Sequence, residues 1–476
     1  MISDPNVKTI GANCGPRQIP SHRPCRPVRI GTPCQILLEP MCTKTLSVRE
    51  YSQSLPGKGP GPRGRPHDRL SVVFVTSWYP TREHPIAGVF IREHAKAVQL
   101  YDDVLVIHTS QRAGLHGWWQ LDEERDDTLA EGVLTYRLWY RKTPFRATSF
   151  LLRAWGLVGA MRVLRGRGVR PNLLHAHIYD SAAATVLASL AFRLPLVLTE
   201  QASAFLSRLM GASLLVARLA FRAARVSMPV SRHLEMAIRR HGIGGEFRVI
   251  PNVVDLDLFH PPKRATDRPP VRQVLFVGLL DLAHKKGIPS LLRVLAERER
   301  HRRDWHLDVV GDGPARQYYE RMVADLGIGG RVSFHGLRAK PVVAQLMREA
   351  DVFVLPSLGE TFGCVLIEAM ASGLPIVSTS TGPIPDLVDS ETGILVPPGD
   401  AAALASAIEQ MLSSLHKYDR QAIAQKARRF SPEVVGATID TVYREVLGLS
   451  GHEHRVNPRG TDAHLAGRGR LPGAQP

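Results

Sequence analysis

The sequence predicts an α/β protein in two halves, each a buried sheet wrapped by helices, that face each other across a deep cleft. Short apolar runs that read as buried strands alternate with helical stretches from Leu70 onward, and the same alternation begins again at Val274. A proline-marked polar linker, residues 261–271 (PPKRATDRPPV), separates the two series. The stretch from Val352 to Thr379 then shows one unit complete, as strand, loop, helix and second strand. A chain of 476 residues holds two or three domains of ordinary size, enough for a core in each half.

Taken in order, residues 1–69 are rich in Pro, Gly and Arg without apolar periodicity, and the expectation is a disordered tail. The first half spans 70–260. Its strands are read at Leu70–Thr76, Asp103–Ser110, Leu134–Tyr140, Asn172–His177, Leu196–Thr199 and Arg225–Ser231, with Ser231 as a helix N-cap. Helices are read at Phe150–Val169 and Phe205–Val226. The second half spans 272–430, with strands at Val274–Gly278, Trp305–Val310, Val332–Leu337, Val352–Leu355, Pro375–Val377 and Gly393–Pro398. Ser431-Pro432-Glu433 opens a last helix, 431–449, with serine as cap and proline at the first position. Residues 450–476 read as a second disordered tail. Both halves are Rossmann-like in pattern.

The formal net charge is +17, but the basic residues are spread through helices and tails instead of forming one block with interleaved aromatics, so no nucleic-acid partner is expected. An anionic membrane surface accounts for the same charge. The arginine-flanked, leucine-rich helices at 150–169 and 205–226 fit either such a surface or solvent. No apolar run reaches the roughly 18 to 20 residues of a spanning helix, and the N-terminus lacks signal-peptide order. The expectation is a cytoplasmic protein with room for peripheral contact at the inner membrane face. The five cysteines contain no C-x-x-C pair, and no zinc site is assigned. Asp255-Leu256-Asp257 spells D-x-D, a metal–diphosphate pattern, but in a linker the better reading is Asx hydrogen bonding within a turn.

Chemistry concentrates at Gly359-Glu360-Thr361-Phe362-Gly363, a loop between a buried strand and a helix starting near Cys364 or Val365. Such loops lie past the carboxyl ends of parallel strands, where ligands bind. The free N–H groups from Gly363 to Leu366 favour a phosphate. Glu360 in the loop and Glu368 in the first turns of the helix flank that guest, and carboxylates there accept hydrogen bonds from hydroxyls such as those of a ribose and a hexose.

Glu360 and Glu368, with Gly359, Phe362, Gly363, Glu368-Ala369-Met370-Ala371 and Gly373-Leu374-Pro375, resemble the two-glutamate signature of the retaining GT-B glycosyltransferases of family 4 (glycosyltransferase group 1). The resemblance covers about residues 71–449. It implies GT-B architecture, two facing Rossmann-like domains, with the acceptor on the N-terminal side and a nucleotide sugar on the C-terminal side. Gly88 resembles the glycine of the loop after the first strand, which approaches the donor diphosphate or the acceptor. PNLLHAH resembles a strand ending in His-x-His. His175 and His177 are read as pointing to opposite faces, with His177 near the donor sugar and His175 in packing. Gly278 and Lys286-Gly287 match the diphosphate loop, but Leu279 stands where the family often has arginine, so the fork geometry of a guanidinium is absent there.

The implied reaction is transfer, with retention, of a hexose from a UDP- or GDP-linked sugar to a glycan or lipid-linked acceptor in cell-surface polysaccharide or glycolipid synthesis. The assigned residues are Glu360, Lys286 and His177 for catalysis. Glu368, Phe362, Gly363, Cys364, Val365, Leu366, Gly88 and Gly278 are assigned to donor binding. No cofactor or metal is assigned beyond the nucleotide sugar. Two other readings stay open on sequence alone: a GT-B epimerase, and a non-catalytic membrane or nucleic-acid adaptor on a decayed fold.

Overall fold

The computed structural model describes residues 69–126, 131–262 and 271–449, all within one compact unit, Ser47–Pro476. The tails expected at 1–69 and 450–476, save Arg69 itself, and most of the linker at 261–271 lie outside the described residues.

The first half contains β1 (Ser71–Thr76), α1 (Val89–Gln99), β2 (Asp103–Arg112), β3 (Trp119–Glu123), β4 (Leu134–Arg141), α2 (Arg146–Gly166), β5 (Leu173–His177), α3 (Tyr179–Phe192), β6 (Leu196–Glu200), α4 (Gly211–Ala223), β7 (Ser227–Pro229) and α5 (Arg232–Arg240). Its seven strands run in the order β3-β4-β2-β1-β5-β6-β7. All neighbours are parallel except β3, which pairs antiparallel with β4 at the edge. The second half contains β8 (Arg272–Val277), α6 (Ile288–Glu299), β9 (Trp305–Val310), α7 (Arg316–Asp325), β10 (Val332–Gly336), α8 (Lys340–Glu349), β11 (Val352–Leu355), α9 (Cys364–Ala371), β12 (Ile376–Thr379), α10 (Ile384–Leu387), β13 (Gly393–Val396), α11 (Ala401–Ser413), α12 (Arg420–Ala427) and α13 (Pro432–Val446). Its six strands are all parallel, in the order β10-β9-β8-β11-β12-β13.

The strands are continuous apolar runs because both faces of each sheet are covered. Val72, Val73, Phe74 and Val75 of β1, like Val352 to Leu355 of β11, are wholly buried. Both sheets reverse direction of strand order beside their first strand, between β1 and β5 and between β8 and β11. Those reversals open crevices at the strands' carboxyl ends, which is where a doubly wound sheet binds ligands.

Helix α13 lies against the first half. Val435, Ile439, Val442 and Tyr443 are buried with β1, β2 and α1, worth roughly 1.5–3 kcal/mol apiece. Gly436 permits the contact, since a Cβ there would run into the Ala97 carbonyl oxygen. Ser431 caps the helix by accepting from Val434 N, and Ser231 caps α5 in the same way through Leu234 N.

Two sequence expectations differ, and one strand was not anticipated. The helix expected over Phe205–Val226 is a short turn at Ser203–Leu206 followed by α4, divided at Gly211 with φ 56°. The helix expected over Phe150–Val169 starts earlier and ends earlier, at Arg146–Gly166. Strand β3, WQLDE, which no sequence expectation covers, sets only Trp119 and Leu121 against the core, a pattern too short to announce an edge strand, and its hydrogen bonds come from its partner β4.

Candidate active site

The C-terminal wall of the cleft is built where β8 and β11 diverge. Gly287, with φ 71°, packs so closely that a Cβ would strike the Pro356 carbonyl oxygen, and Leu358 N donates to Lys285 O at 2.8 Å. These contacts bind the loop after β8 to the loop after β11. Lys286 Nζ consequently donates to Glu360 Oε1 at 2.6 Å, and Ser357 Oγ donates to the same oxygen at 2.8 Å. The Glu360 side chain is only 8% exposed. Gly278 borders this pair, because a Cβ on it would lie 3.4 Å from the Lys286 Cγ. Leu279, at the position where arginine is common, is exposed.

Helix α9 begins at Cys364 with Gly363 in the left-handed region at φ 95°. Leu366 N turns back to Gly363 O at 2.9 Å. Among the described residues no acceptor takes the N–H of Cys364 or Val365, the ordinary condition of a helix start. Phe362 is buried edge-on against Phe430. The opposite half reaches this helix end twice: Ser231 Oγ donates to Thr361 O at 2.7 Å, and Asn252 Nδ2 lies 3.3 Å from Cys364 Sγ. Burial, reinforced by Glu368, pushes the Cys364 thiol up to about 12, so it is inert as a nucleophile.

Glu368, one turn further along α9, is half-buried. Burial raises its carboxyl to about 7, opposed by Lys340 and assisted by Glu93. Lys340, the first residue of α8, meets Glu93 of α1 at 3.1 Å across the cleft, and Lys96 approaches Glu93 at 3.8 Å. Burial works against the charge on both partners, but their mutual attraction outweighs it: Lys340 is held above, and Glu93 below, its ordinary range.

The N-terminal wall is built where β1 and β5 diverge. His175 and His177 are both fully buried, and their rings stack at 4.3 Å with 28° between planes. The expectation that they point to opposite faces is therefore corrected, since residues two apart on a strand share a face. Their roles are set by partners instead. His175 Nδ1 pairs with Tyr443 Oη at 2.6 Å and Nε2 with Thr199 Oγ1 at 2.7 Å. Neither ring nitrogen of His177 has a hydrogen-bond partner among the described residues. Burial drives both imidazoles well below their ordinary value, so they are neutral. His94 adds a third ring, held neutral by burial at about 4, with Nε2 donating to Pro251 O at 3.1 Å. Gly88 precedes α1 at φ 62°, and the close approach that demands glycine there is to the Trp78 carbonyl of its own loop.

The sequence places the Thr199-Glu200-Gln201 strand end at the rim of this wall, but not the backbone of Ile178 or the hydrogen bonding of Glu200. Ile178, directly after His177, sits at φ 72°, a strained conformation for a β-branched residue. Glu200 is fully buried and accepts from the N–H groups of Tyr179, Gln201 and Ala202 at 2.7 to 2.9 Å. Burial nevertheless raises its carboxyl to about 7. It fixes the loop carrying Gln201, whose side-chain amide is buried without a partner among the described residues. Only a positive φ on a non-glycine, invisible in sequence, marks the first. The second is a lone Glu after an apolar strand.

Asp255 Oδ1 accepts from Asp257 N at 3.0 Å and Leu258 N at 3.2 Å, an Asx turn. No group of three metal-binding side chains occurs among the described residues, and no described helix is long and apolar enough to cross a membrane.

Two family models match the chain. Residues 116–258 match the model described as Glycosyltransferase Family 4, and residues 271–414 the model described as Glycosyl transferases group 1. The chain is 26% identical over 392 residues to the putative teichuronic acid biosynthesis glycosyltransferase TuaC of Bacillus subtilis, covering 78% of this chain and 94% of that one. It is 30% identical over 177 residues to the alpha-D-kanosaminyltransferase of Streptomyces kanamyceticus, 36% of this chain and 45% of the relative. Against several such curated relatives it spans only about half their length, 36% in one case and 57% in another. Anabaena HepE, solved in complex with UDP, superposes with a TM-score of 0.62 at 22% identity over 79% of this chain and all of that one, a likeness of fold.

Proposed function

The chain belongs to the group 1, family 4 glycosyltransferases and has their GT-B architecture; from that premise we propose that it transfers a hexose, with retention, from a UDP- or GDP-linked sugar to a glycan or lipid-linked acceptor in cell-surface polysaccharide or glycolipid synthesis. The observation that carries the reading is the Lys286–Glu360 pair at 2.6 Å beside the unclaimed N–H groups of Cys364 and Val365. A cation and two aligned donors converge there at a strand-order reversal, a fitting seat for a diphosphate. That the related fold of HepE is solved with UDP agrees with a uridine nucleotide.

The difficult event is breakage of the bond between the anomeric carbon and the diphosphate oxygen, which leaves positive charge on the sugar and negative charge on the leaving group. Lys286 and the N–H groups of Cys364 and Val365 meet that negative charge from fixed positions. To do so Lys286 exchanges its bond to Glu360 for one to the diphosphate, and the exchange frees Glu360 to accept from sugar hydroxyls. Glu368 accepts from the ribose in its ionised form. Neutral His177 offers a donor and an acceptor to the sugar from the opposite wall. The acceptor oxygen bonds to the anomeric carbon on the face the diphosphate leaves, and its proton passes to a diphosphate oxygen. Neither glutamate becomes covalently attached, and the reading gives no part to a metal.

The test is release of nucleoside diphosphate across a panel of UDP- and GDP-sugars. The Lys286→Ala enzyme should be slower by about two to three orders of magnitude. NMR of the product should show the donor's anomeric configuration kept, and an inverted linkage contradicts the mechanism.

A further inference from the structure

Beyond the donor site, a cavity of about 760 Å³ opens in the N-terminal half between the turn at Ser203–Leu206, the start of α4 and helix α5. Its lining divides into two chemistries. Arg208, Arg240, His233 and His241 supply cationic and hydrogen-bonding groups, Met210 and Leu214 supply apolar surface, and no carboxylate lines it. The cavity adjoins the cleft. Ser231, the cap of α5, donates to Thr361 in the loop that carries Glu360, and His233, in the first turn of α5, is close enough to Asp386 of α10 to feel its charge.

The surroundings continue the same division. From Arg137 to Leu234 the chain carries only two carboxylates, Asp180 and Glu200. Asp180 is engaged by Arg153 at 2.7 Å, and Glu200 by three backbone N–H groups. Glu235 of α5 is engaged by Arg239 at 2.9 Å and Asp386 faces His233, and among the described residues Arg208 and Arg240 line the cavity with no carboxylate in its lining. Alongside them, Met210 and Leu215 are 64% and 65% exposed, and Leu206 and Leu219 are exposed as well. Soluble helix surfaces usually interleave acids with bases, and this one interleaves leucines with arginines.

We propose that this cavity is the acceptor subsite and that the acceptor is an amphiphile with a phosphate head, the phosphate between Arg208 and Arg240 and the apolar chain along Met210, Leu206 and Leu215. Two guanidiniums from separate elements present forked donors to a tetrahedral anion, which a neutral sugar acceptor has no use for. The adjoining leucines have no role toward a free glycan. A second copy of the chain is a poor occupant, because it would bring the same positive face against this one. The assignment of the phosphoamphiphile as acceptor rests on the transferase reading; the binding itself does not.

Calorimetry on the full chain with decyl phosphate, below its micelle concentration and without donor, tests the proposal. Wild-type protein should bind it. The Arg208→Ala/Arg240→Ala double variant should bind at least about tenfold more weakly, as should Met210→Asp. All three positions are exposed, so the fold should persist. Arg239→Ala, which removes the same charge from a residue paired with Glu235 at 2.9 Å, should leave affinity unchanged. Decyl maltoside, with a neutral head, and inorganic phosphate, without a chain, should each bind at least about tenfold more weakly than decyl phosphate. Equal affinity in the double variant, or a match by either control ligand, overturns the proposal. Nucleotide-sugar binding by the same proteins separates the two readings. Wild type that binds decyl phosphate but no nucleotide sugar contradicts the transferase reading alone, and the converse contradicts only the subsite.

Discussion

The two walls of the cleft hold their polar groups in opposite states. On the C-terminal wall Lys286, Glu360 and Ser357 satisfy one another at 2.6 and 2.8 Å. On the N-terminal wall His177 and Gln201 are buried with polar atoms that nothing among the described residues satisfies. An unpaired buried polar group costs about 1–3 kcal/mol, so among the buried side chains of the two walls the expense falls on His177 and Gln201, while the open groups of the C-terminal wall are the backbone N–H groups of Cys364 and Val365. The difference teaches that the walls meet a ligand differently. Under the proposed function, the C-terminal wall would exchange an internal ion pair for a diphosphate, and the N-terminal wall would gain bonds when a hydroxylated sugar arrives.

The largest expected effect breaks the self-satisfied wall. Glu360→Gln should lower kcat/KM by about two to three orders of magnitude, while calorimetry shows nucleoside diphosphate bound at least as tightly, because Lys286 no longer has a carboxylate to leave. Within the other wall, His175→Phe and His177→Phe should part company. The first strands Tyr443 Oη and Thr199 Oγ1 and should cost about 2 kcal/mol or more in thermal unfolding. The second strands nothing and should leave stability within about 1 kcal/mol, yet cut kcat/KM at least about tenfold. Gly436→Ala, which forces a Cβ against the Ala97 carbonyl where α13 fastens to α1, should destabilise by about 1–3 kcal/mol.

The smallest effect is a pH dependence. Asp102, Glu200 and Glu368 are each raised to about 7, in every case chiefly by burial. Between their unfolded values and about 7 the folded chain holds protons that the unfolded chain releases. The contribution of these groups is therefore fully present at the acid end of that window and is lost as pH rises through it. The buried neutral imidazoles of His94, His108, His175 and His177 act with the opposite sign and lose stability as pH falls below their ordinary value, so the carboxyl contribution is read above that range, as a slight fall in melting temperature between about pH 7 and about pH 8. Donor affinity should run the other way and strengthen as Glu368 ionises.

Much of the fold was legible because parallel strands buried on both faces are unbroken apolar runs such as VVFV and VFVL, bounded by loops rich in glycine. Edge strand β3 was not, since its two apolar residues, Trp119 and Leu121, are too few to mark a strand without β4 beside them. The helix start at Cys364 was legible from Gly363, whose φ of 95° suits few other residues. The meeting of Glu93 with Lys340 was hidden, because each reads alone as a solvated charge on its own helix and only the apposition of α1 with α8 makes them partners. The histidines show a different limit. Their spacing already places them on one face, but which one is satisfied depends on Tyr443, brought from the far end of the chain by α13. Ile178 could not have been anticipated, since backbone strain leaves no mark in residue type.

Calorimetric titration of UDP and GDP into wild-type and Lys286→Met protein tests most directly whether the diphosphate sits against Lys286 at the start of α9. Binding of one nucleotide by wild type, weakened about tenfold to a hundredfold by the substitution, is the predicted result. Equal affinity in the two proteins would place the diphosphate elsewhere and contradict the account.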